Sequence, residues 1–236
     1  MKLNYLKLLF IYLLLITSFG AYSQGVELIA DYPMIEDLQD DTGKQSDAYL
    51  FGNPPPAPPG NGVEVCQDGV WSNDGSLDTQ SVYTPILNGF DINNFEVEIE
   101  FKPTGFTTPD DVSPFKAVIM GGHFARWIGI LLDENGRIGF KYNNFNTNIT
   151  WTNTVLTLDG LYHHGRIVYD HGHAEMYIDQ QLVHTQQLPE LITFLDDLEF
   201  LTADYSTGSP FYGCVRNLKV RSTPDEVFKS SFEAPK

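Results

Sequence analysis

The chain has 236 residues, with 31 Asp plus Glu against 14 Lys plus Arg, so its formal net charge is -17. Nucleic-acid binding and docking on anionic lipid headgroups both need an excess of Lys and Arg, so this charge argues against both. Because 42% of the residues are hydrophobic and 13% are aromatic, the chain can bury a core and is not a disordered acidic tail.

The first 23 residues have the pattern of a secretory signal. A start with two lysines is followed by the apolar run Leu8–Ile16 and by the small residues Ala21 and Ser23. The run is short for a transmembrane span of about 20 residues, and no second run of spanning length follows. We therefore predict a mature chain that is secreted, periplasmic or at the cell surface, without an integral membrane segment. It loses two lysines and no acids, so its net charge becomes -19.

Alternating and turn-forming residues divide the mature chain into short strands. Glutamates at 96, 98 and 100 alternate with apolar residues at 97, 99 and 101, which predicts a half-buried strand. Asn135-Gly136 lies between the apolar runs Trp127–Leu132 and Arg137–Tyr142, which predicts a hairpin, since both turn positions tolerate positive φ. A His-Gly-His turn at 171–173 predicts a second hairpin, between Arg166–Tyr169 and Glu175–Ile178.

Further strands are expected at Leu182–Leu188, Leu198–Leu201 and Val215–Val220, and only Pro189–Asp197 could hold a short helical turn. Turns recur every eight to twelve residues, which is typical of an all-β sandwich or jelly roll. Asn53–Asn61 contains five prolines in nine residues. It is expected to form an extended surface loop or a recognition segment for a proline-binding module.

The order of these segments resembles the laminin-G-like, concanavalin-A-like jelly-roll family. The resemblance rests on five segments. The first strand and its L-x-D-x-[ST]-G-like loop lie at Leu28–Gly43, and an F-T-I-x-F-W-x-K-P-T-G-like strand lies at Phe95–Gly105. The others are a D-G-x-W-H-H-like element at Asp159–His164, a Y-x-D-G-like hairpin at Glu175–Val183 and a closing strand at Phe211–Val220. It implies two antiparallel sheets, one concave and one convex, with the first and last strands close together. The domain is expected to span residues 24–222, followed by a tail at 223–236.

Cys66 and Cys214 are the only cysteines, and outside the reducing cytosol they are expected to pair. The resemblance makes this pairing plausible, since it places one cysteine in an early strand and the other at the start of the last strand. The family's usual bridge has a different partner position. The other interpretation, two buried free thiols, stays open.

Glu96, Glu98 and Glu100 suggest an enzymatic alternative, because their strand resembles the E-I-D-I-E-F strand of family 16 β-glucanases. That resemblance implies that Glu96 is a nucleophile and Glu100 an acid/base. Glu98 stands where the glucanases have Asp, and the following Lys102–Gly105 fits the binding modules instead. The same spacing also predicts a solvated acidic face of a half-buried strand.

The resemblance also implies a structural Ca²⁺ site at Asp40 and Asp41, since relatives often hold Ca²⁺ in this loop through hard oxygen ligands. The alternative is a turn in which Asp and Thr form local hydrogen bonds. The histidines at 163, 164, 171 and 173 lack the spacing of a zinc site, so turn and strand-cap roles are expected for them.

Aromatic and amide side chains suggest sugar binding, because a sugar's C–H face packs on an aromatic ring while Asn and Asp bind its hydroxyls. The candidate ligand-binding residues are Trp127, Tyr142, Asn144, Phe145 and Trp151. The alternative is that the rings fill the core and the asparagines form turns. We predict a secreted module that binds an extracellular polysaccharide or glycoprotein. The alternatives are a glycoside hydrolase using Glu96 and Glu100, and a protein–protein adhesion module.

Overall fold

The computed structural model describes residues 27–35, 37–51, 65–66, 69–73, 81–84, 87–88, 90–106, 115–123, 126–142, 149–188, 197–204 and 209–224. Within these ranges every regular element is a β-strand. In chain order they are β1 (Glu27–Tyr32), β2 (Tyr49–Phe51), β3 (Val65–Cys66), β4 (Gly69–Asn73), β5 (Ser81–Tyr83), β6 (Leu87–Asn88), β7 (Phe90–Pro103), β8 (Phe115–His123), β9 (Arg126–Asp133), β10 (Arg137–Tyr142), β11 (Ile149–Val155), β12 (His163–Asp170), β13 (His173–Ile178), β14 (Gln181–Gln187), β15 (Asp197–Leu201), β16 (Ala203–Asp204), β17 (Ser209–Pro210) and β18 (Gly213–Pro224).

The strands form two antiparallel sheets and a small ribbon. Sheet A has the order β14-β13-β12-β7-β18-β4-β3, with β1 also paired to β18. Sheet B has the order β11-β10-β9-β8-β15-β5-β2, with β6 also paired to β15, and β16 pairs with β17. The predicted all-β, two-sheet architecture is confirmed, including the predicted proximity of the first and last strands.

Both predicted hairpins form at the expected residues. The β9–β10 turn places Gly136 at a φ of 77°, and the β12–β13 turn places His171 at 45° and Gly172 at 90°. Glycine adopts positive φ without steric cost, which is why these turns end the strands where they do. Asn53–Asn61 and residues 189–196 lie outside the described residues, and β18 continues to Pro224, two residues past the expected domain end.

The core lies between the inner faces of the two sheets. Val97, Ile99 and Phe101 of β7 are buried, while the glutamates between them stay half-exposed. From sheet B, Ile130 and Phe140 enter the same cluster. Each such side chain contributes roughly 1.5–3 kcal/mol when fully buried. The alternation that predicted β7 therefore also determines which face of sheet A carries its charges.

Candidate ligand-binding site

Three of the predicted ligand-binding residues lie on adjacent strands of sheet B. Trp127 lies at the start of β9, Tyr142 ends β10, and Trp151 lies in β11. Tyr142 pairs with Ile128, and Trp151 pairs with Gly139. Asn144, Phe145 and the side chain of Trp127 lie outside the described residues. The described part of the prediction therefore depends on Tyr142 and Trp151.

Tyr142 does not belong to a surface site, which corrects the prediction for this residue. It is only 8% exposed and is part of the main core cluster. Ile138, Phe140 and Tyr142 alternate along β10 and point inward together, as the two-residue repeat of a strand requires. The ring of Tyr142 therefore fills the core.

Trp151 lies on the outer face of sheet B and is half-buried. A Cβ atom at Gly139 would lie 2.7 Å from both Cε3 and Cζ3 of the indole, so the ring packs directly against the glycine backbone. The guanidinium carbon of Arg137 lies 5.0 Å from the ring centroid, a cation–π distance. The indole is thus held in place at the border of the sheet while part of it stays accessible.

Arg137 is fixed by the turn that precedes it. Its Nε donates to Oδ2 of Asp133 at 3.0 Å, and Oδ1 of Asp133 accepts the backbone N–H groups of Asn135 and Arg137 at 2.9 Å each. Within the part of the chain that the structure describes, the two Nη groups donate no hydrogen bond. Arg137 therefore offers oriented donors beside the Trp151 ring.

On the remainder of this outer face the described side chains are largely buried, and they include Lys141 as well as an apolar cluster. Ala117, Met120 and Leu131 form a second buried cluster, with Ile149 and Trp151 packed at one border and Tyr83 at another. The ring of Tyr83 lies 4.9 Å from that of Tyr49. The accessible aromatic surface of sheet B thus lies at its borders.

The outer face of sheet A carries Glu96, Glu98 and Glu100, and arginines of the next strand bind all three. Nε of Arg216 donates to Glu100 at 2.6 Å. Nη1 of Arg221 donates to Glu96 at 2.9 Å and also to Glu98. On the other side of β7, Nη1 of Arg166 lies 3.7 Å from Glu96. The acidic trio is thus neutralised within its own sheet.

Neighbouring groups shift the protonation of this trio. The hydrogen bond from His164 lowers the pKa of Glu98 to about 2, against the opposing effect of burial, and Arg221 adds to it. Burial and a hydrogen bond shared with Glu98 raise the pKa of Glu96. The bond to Glu98 raises the pKa of His164. Glu98 is therefore held ionised between two cationic partners.

This geometry gives no support to a catalytic pair at Glu96 and Glu100. Strand pitch separates the backbones of positions i and i+4 by about 13 Å, so the two side chains would have to converge to reach the carboxyl separation of about 5 Å in a retaining glycosidase. Arg221 binds Glu96 and Arg216 binds Glu100, which holds the two carboxylates toward different ends of β18.

The predicted calcium loop is organised by hydrogen bonds. Oδ1 of Asp40 accepts the N–H groups of Asp31 at 2.9 Å and Thr42 at 3.2 Å. Its Oδ2 accepts the Thr42 hydroxyl at 2.6 Å and the N–H groups of Lys44 at 3.0 Å and Gln45 at 2.8 Å. Burial opposes the effect, but these donors outweigh it and hold the pKa of Asp40 below its usual range.

Asp41 is exposed, and the described residues contain no cluster of three or more His, Cys, Asp or Glu that could hold a metal ion. The calcium site at Asp40 and Asp41 stays a prediction.

The four histidines lie at the start of β12 or in and just after the β12–β13 turn. His163 begins β12 with Nδ1 at 2.9 Å from Asp179, and His164 contacts Glu98 at 3.2 Å. His171 lies in the β12–β13 turn and His173 begins β13.

Cys214 is fully buried and is not a free thiol. Its strand β18 pairs with β4, and β4 pairs with the Cys66 strand β3. The side chain of Cys66 lies outside the described residues, so the Cys66–Cys214 pairing stays a prediction.

Sequence reasoning missed the partners that define both faces. Arg166, Arg216 and Arg221 become neighbours of β7 only through strand order, which single-strand patterns do not encode. The position of Arg137 could have been predicted, because the Asn-Gly hairpin places it at the start of β10. The contact of Arg137 with Trp151 could not have been predicted, because the β10–β11 register shifts between Arg137 and Gly139.

Similarity to solved structures extends over most of the chain. Domain 4 of AbnA, a GH43 extracellular arabinanase from Geobacillus stearothermophilus in complex with arabinotriose, aligns with a TM-score of 0.61 at 17% identity, covering 85% of this chain and 95% of that one. The binding domain of botulinum neurotoxin DC in complex with rat synaptotagmin II has a TM-score of 0.57 at 13% identity, covering 86% and 51%.

A botulinum neurotoxin type C structure, described by the dependence of cell entry on two ganglioside molecules, has a TM-score of 0.57 at 12% identity, covering 92% and 53%. This chain thus spans about half of either neurotoxin chain. At identities this low, the TM-scores establish a shared fold alone. No curated protein sequence matches the chain.

Across the described ranges, no helix is long and apolar enough to cross a membrane. A family model of the concanavalin A-like lectin/glucanases superfamily, Laminin_G_3, matches residues 74–226. The match covers well over half of the sequence and agrees with the two-sheet fold, so the chain belongs to the concanavalin A-like lectin/glucanase superfamily.

Proposed function

We propose that this chain is an exported glycan-binding module whose ligand contacts the Trp151 border of sheet B. The main support for the proposal is the half-exposed indole of Trp151, which rests on the Gly139 backbone with the Arg137 guanidinium beside it. A sugar's C–H face packs on such a ring, and the Nη groups of Arg137 donate to its hydroxyls. Asn153, exposed in the same strand, adds an amide.

Structural relatives support a sugar as ligand without identifying it. The arabinanase domain binds arabinotriose, and the type C neurotoxin depends on gangliosides. The neurotoxin complex with synaptotagmin II supports a protein partner as an alternative. Export is supported by the basic and apolar start of the chain. An extracellular glycan is the ligand class that fits both the sugar-binding relatives and the export of the chain.

Affinity electrophoresis of the mature chain, residues 24–236, in gels containing arabinan, xylan, β-1,3-glucan or galactomannan tests the proposal. We expect at least one polysaccharide to retard the protein, and Trp151→Ala to remove most of that retardation. The matched control is Trp71→Ala in sheet A, which should keep its retardation if it folds. An unretarded wild-type protein, with capture of an extracellular protein instead, would favour the adhesion alternative. Release of reducing sugar would favour the hydrolase.

Calcium is a separate proposal on Asp40 and Asp41, since the family resemblance implies it. If the ion is structural, the melting temperature of the mature chain falls when EDTA is added and recovers with excess CaCl₂. A melting temperature unchanged by EDTA would reject the calcium site, and the hydrogen bonds of Asp40 would then be its whole role.

A further inference from the structure

The charges on the outer face of sheet A are arranged in stripes that follow the strands. On this face β7 carries Glu96, Glu98 and Glu100, with Lys102 at its end, and the neighbouring β18 carries Arg216, Lys219 and Arg221. Beyond β18, Asp31 of β1 lies 3.4 Å from Lys219. On the other side of β7, β12 contributes Arg166. Neighbouring strands thus alternate in sign.

The strand register aligns these stripes into a row across four strands. Arg166 pairs with Glu98, Glu98 with Lys219, and Lys219 with Asp31. The order of charges is positive, negative, positive, negative. A two-fold rotation about a line between β7 and β18 exchanges the positions of Glu98 and Lys219. Every charge of the row would then lie opposite a charge of the other sign in a second copy. Glu96 with Arg221, and Glu100 with Arg216, follow the same rule.

We propose that this face is the dimer interface of the protein, occupied by a second copy related by a two-fold axis that runs along the strands between β7 and β18. That rotation places the β7 stripe of one copy over the β18 stripe of the other. Glu98 then faces the partner copy's Lys219, and Arg166 faces the partner copy's Asp31. Aligned packing of two sheets is a standard arrangement, and a two-fold interface must be self-complementary in this way.

The whole-molecule charge favours this face over others. Two copies with a net charge of -17 repel each other wherever acids dominate. Among the described side chains of this face, five acids are matched by five bases: Asp31, Glu96, Glu98, Glu100 and Glu175 with Lys102, Arg166, Arg216, Lys219 and Arg221. Two copies can approach here without that repulsion.

Two arginines of the face are held in place before a partner arrives. The guanidinium of Arg216 lies 3.9 Å from the Tyr162 ring centroid, and that of Arg166 lies 4.4 Å from the Tyr177 centroid. Stacked arginines lose less conformational entropy on association, and Tyr and Arg are enriched at protein interfaces. In the single chain 20% of the Glu98 side chain and 34% of the Lys219 side chain remain exposed, so both are accessible to a partner.

Sedimentation equilibrium of the mature chain tests the proposal. Wild type is expected to show a concentration-dependent monomer–dimer equilibrium. Glu98→Lys alone and Lys219→Glu alone place like charges opposite each other, and each should weaken dimerisation at least tenfold. Glu134→Lys, on the β9–β10 turn of sheet B, makes the same charge change away from the face and should dimerise at least as well as wild type.

Mixing the two variants is the decisive step. A Glu98→Lys chain and a Lys219→Glu chain present complementary charges to each other, so the mixture should form a heterodimer at concentrations at which each variant alone is mainly monomeric. Circular dichroism and a melting curve verify that each variant folds. A wild type that stays monomeric at every concentration, or a dimer that Glu98→Lys and Lys219→Glu leave unchanged, would overturn the proposal. So would a mixture of the two folded variants that stays monomeric.

Discussion

The outer faces of sheets A and B differ in how their polar groups are used. On sheet A, Glu96, Glu98 and Glu100 are bound by Arg216 and Arg221 from the neighbouring strand. On sheet B, the Trp151 ring rests on Gly139, and among the described residues Arg137 donates a side-chain hydrogen bond through its Nε alone, to Asp133. One face satisfies its charges internally, whereas the border of the other keeps a ring and donors available for a small ligand.

The comparison shows that a row of carboxylates is not by itself a catalytic site. The glutamate pattern was the sharpest chemical motif of the sequence, yet the sheet surrounds it with cations. The less conspicuous pair of a glycine and a tryptophan on neighbouring strands creates the accessible surface. A site for a small ligand is therefore better sought where side chains are held in place but not fully paired.

The largest effect is expected from Gly139→Ala, which attacks the sheet B border directly. The new methyl group would lie 2.7 Å from the indole of Trp151, so the ring must move. We expect at least a tenfold loss of polysaccharide affinity, together with destabilisation of about 1–3 kcal/mol. Titration in affinity gels and urea unfolding measure the two effects. Unchanged affinity in a folded variant would contradict the role of this border.

Arg221→Met is the matching test of sheet A. It removes the cation shared by Glu96 and Glu98, and leaves two half-buried carboxylates side by side. The free energy of unfolding should fall by about 1–2 kcal/mol, a range reduced for the partial exposure of these groups. Polysaccharide affinity should not change. Arg137→Met in sheet B should give the opposite pattern, with weaker binding and a smaller loss of stability.

The Glu98–His164 contact makes a smaller, pH-dependent contribution. The pKa of His164 is raised, so its part is complete below its unfolded value of 6.5 and is lost as the pH rises through the folded pKa. The pKa of Glu98 falls from 4.5 to about 2, so its part is present above 4.5 and is lost on acidification toward 2. The pair is therefore most effective between pH 4.5 and 6.5.

Replacing Glu98 by Gln should lower the pKa of His164 toward 6.5, and an NMR titration of the imidazole measures this. Glu175→Gln, which alters the partner of His173, serves as control and should leave His164 unchanged. A His164 pKa that is the same in wild type and in Glu98→Gln would contradict the contact.

The smallest effect is expected at the β13–β14 turn. Asp179 and Gln180 have φ values of 49° and 68°, and a left-handed conformation is costly for glutamine. Gln180→Gly should raise the free energy of unfolding by about 0.5–1 kcal/mol, measured by urea denaturation. Gly160→Gln, which puts glutamine at a φ of 76° where no atom lies within 4 Å of an added Cβ, should do the reverse. If Gln180→Gly gains no stability and Gly160→Gln loses none, positive φ does not limit stability at these positions.

Strands and turns could be predicted because their signals are local. Asn135-Gly136 needs positive φ, and the alternation along β7 needs one buried face. The pairing of β7 with β12 and β18 could not be predicted in this way, because it depends on strand order. The candidate site was only partly predictable: Trp151 and Tyr142 have the same composition signal, but Tyr142 lies in the core whereas Trp151 is half-buried on the outer face.

The most direct test of the central claim compares one polysaccharide that retards wild type across three proteins: wild type, Trp151→Ala and Arg221→Met. We expect Trp151→Ala to bind at least tenfold more weakly and Arg221→Met to bind as wild type does. Folded Trp151→Ala that binds normally, or Arg221→Met that loses binding instead, would contradict the assignment of the ligand to the Trp151 border of sheet B.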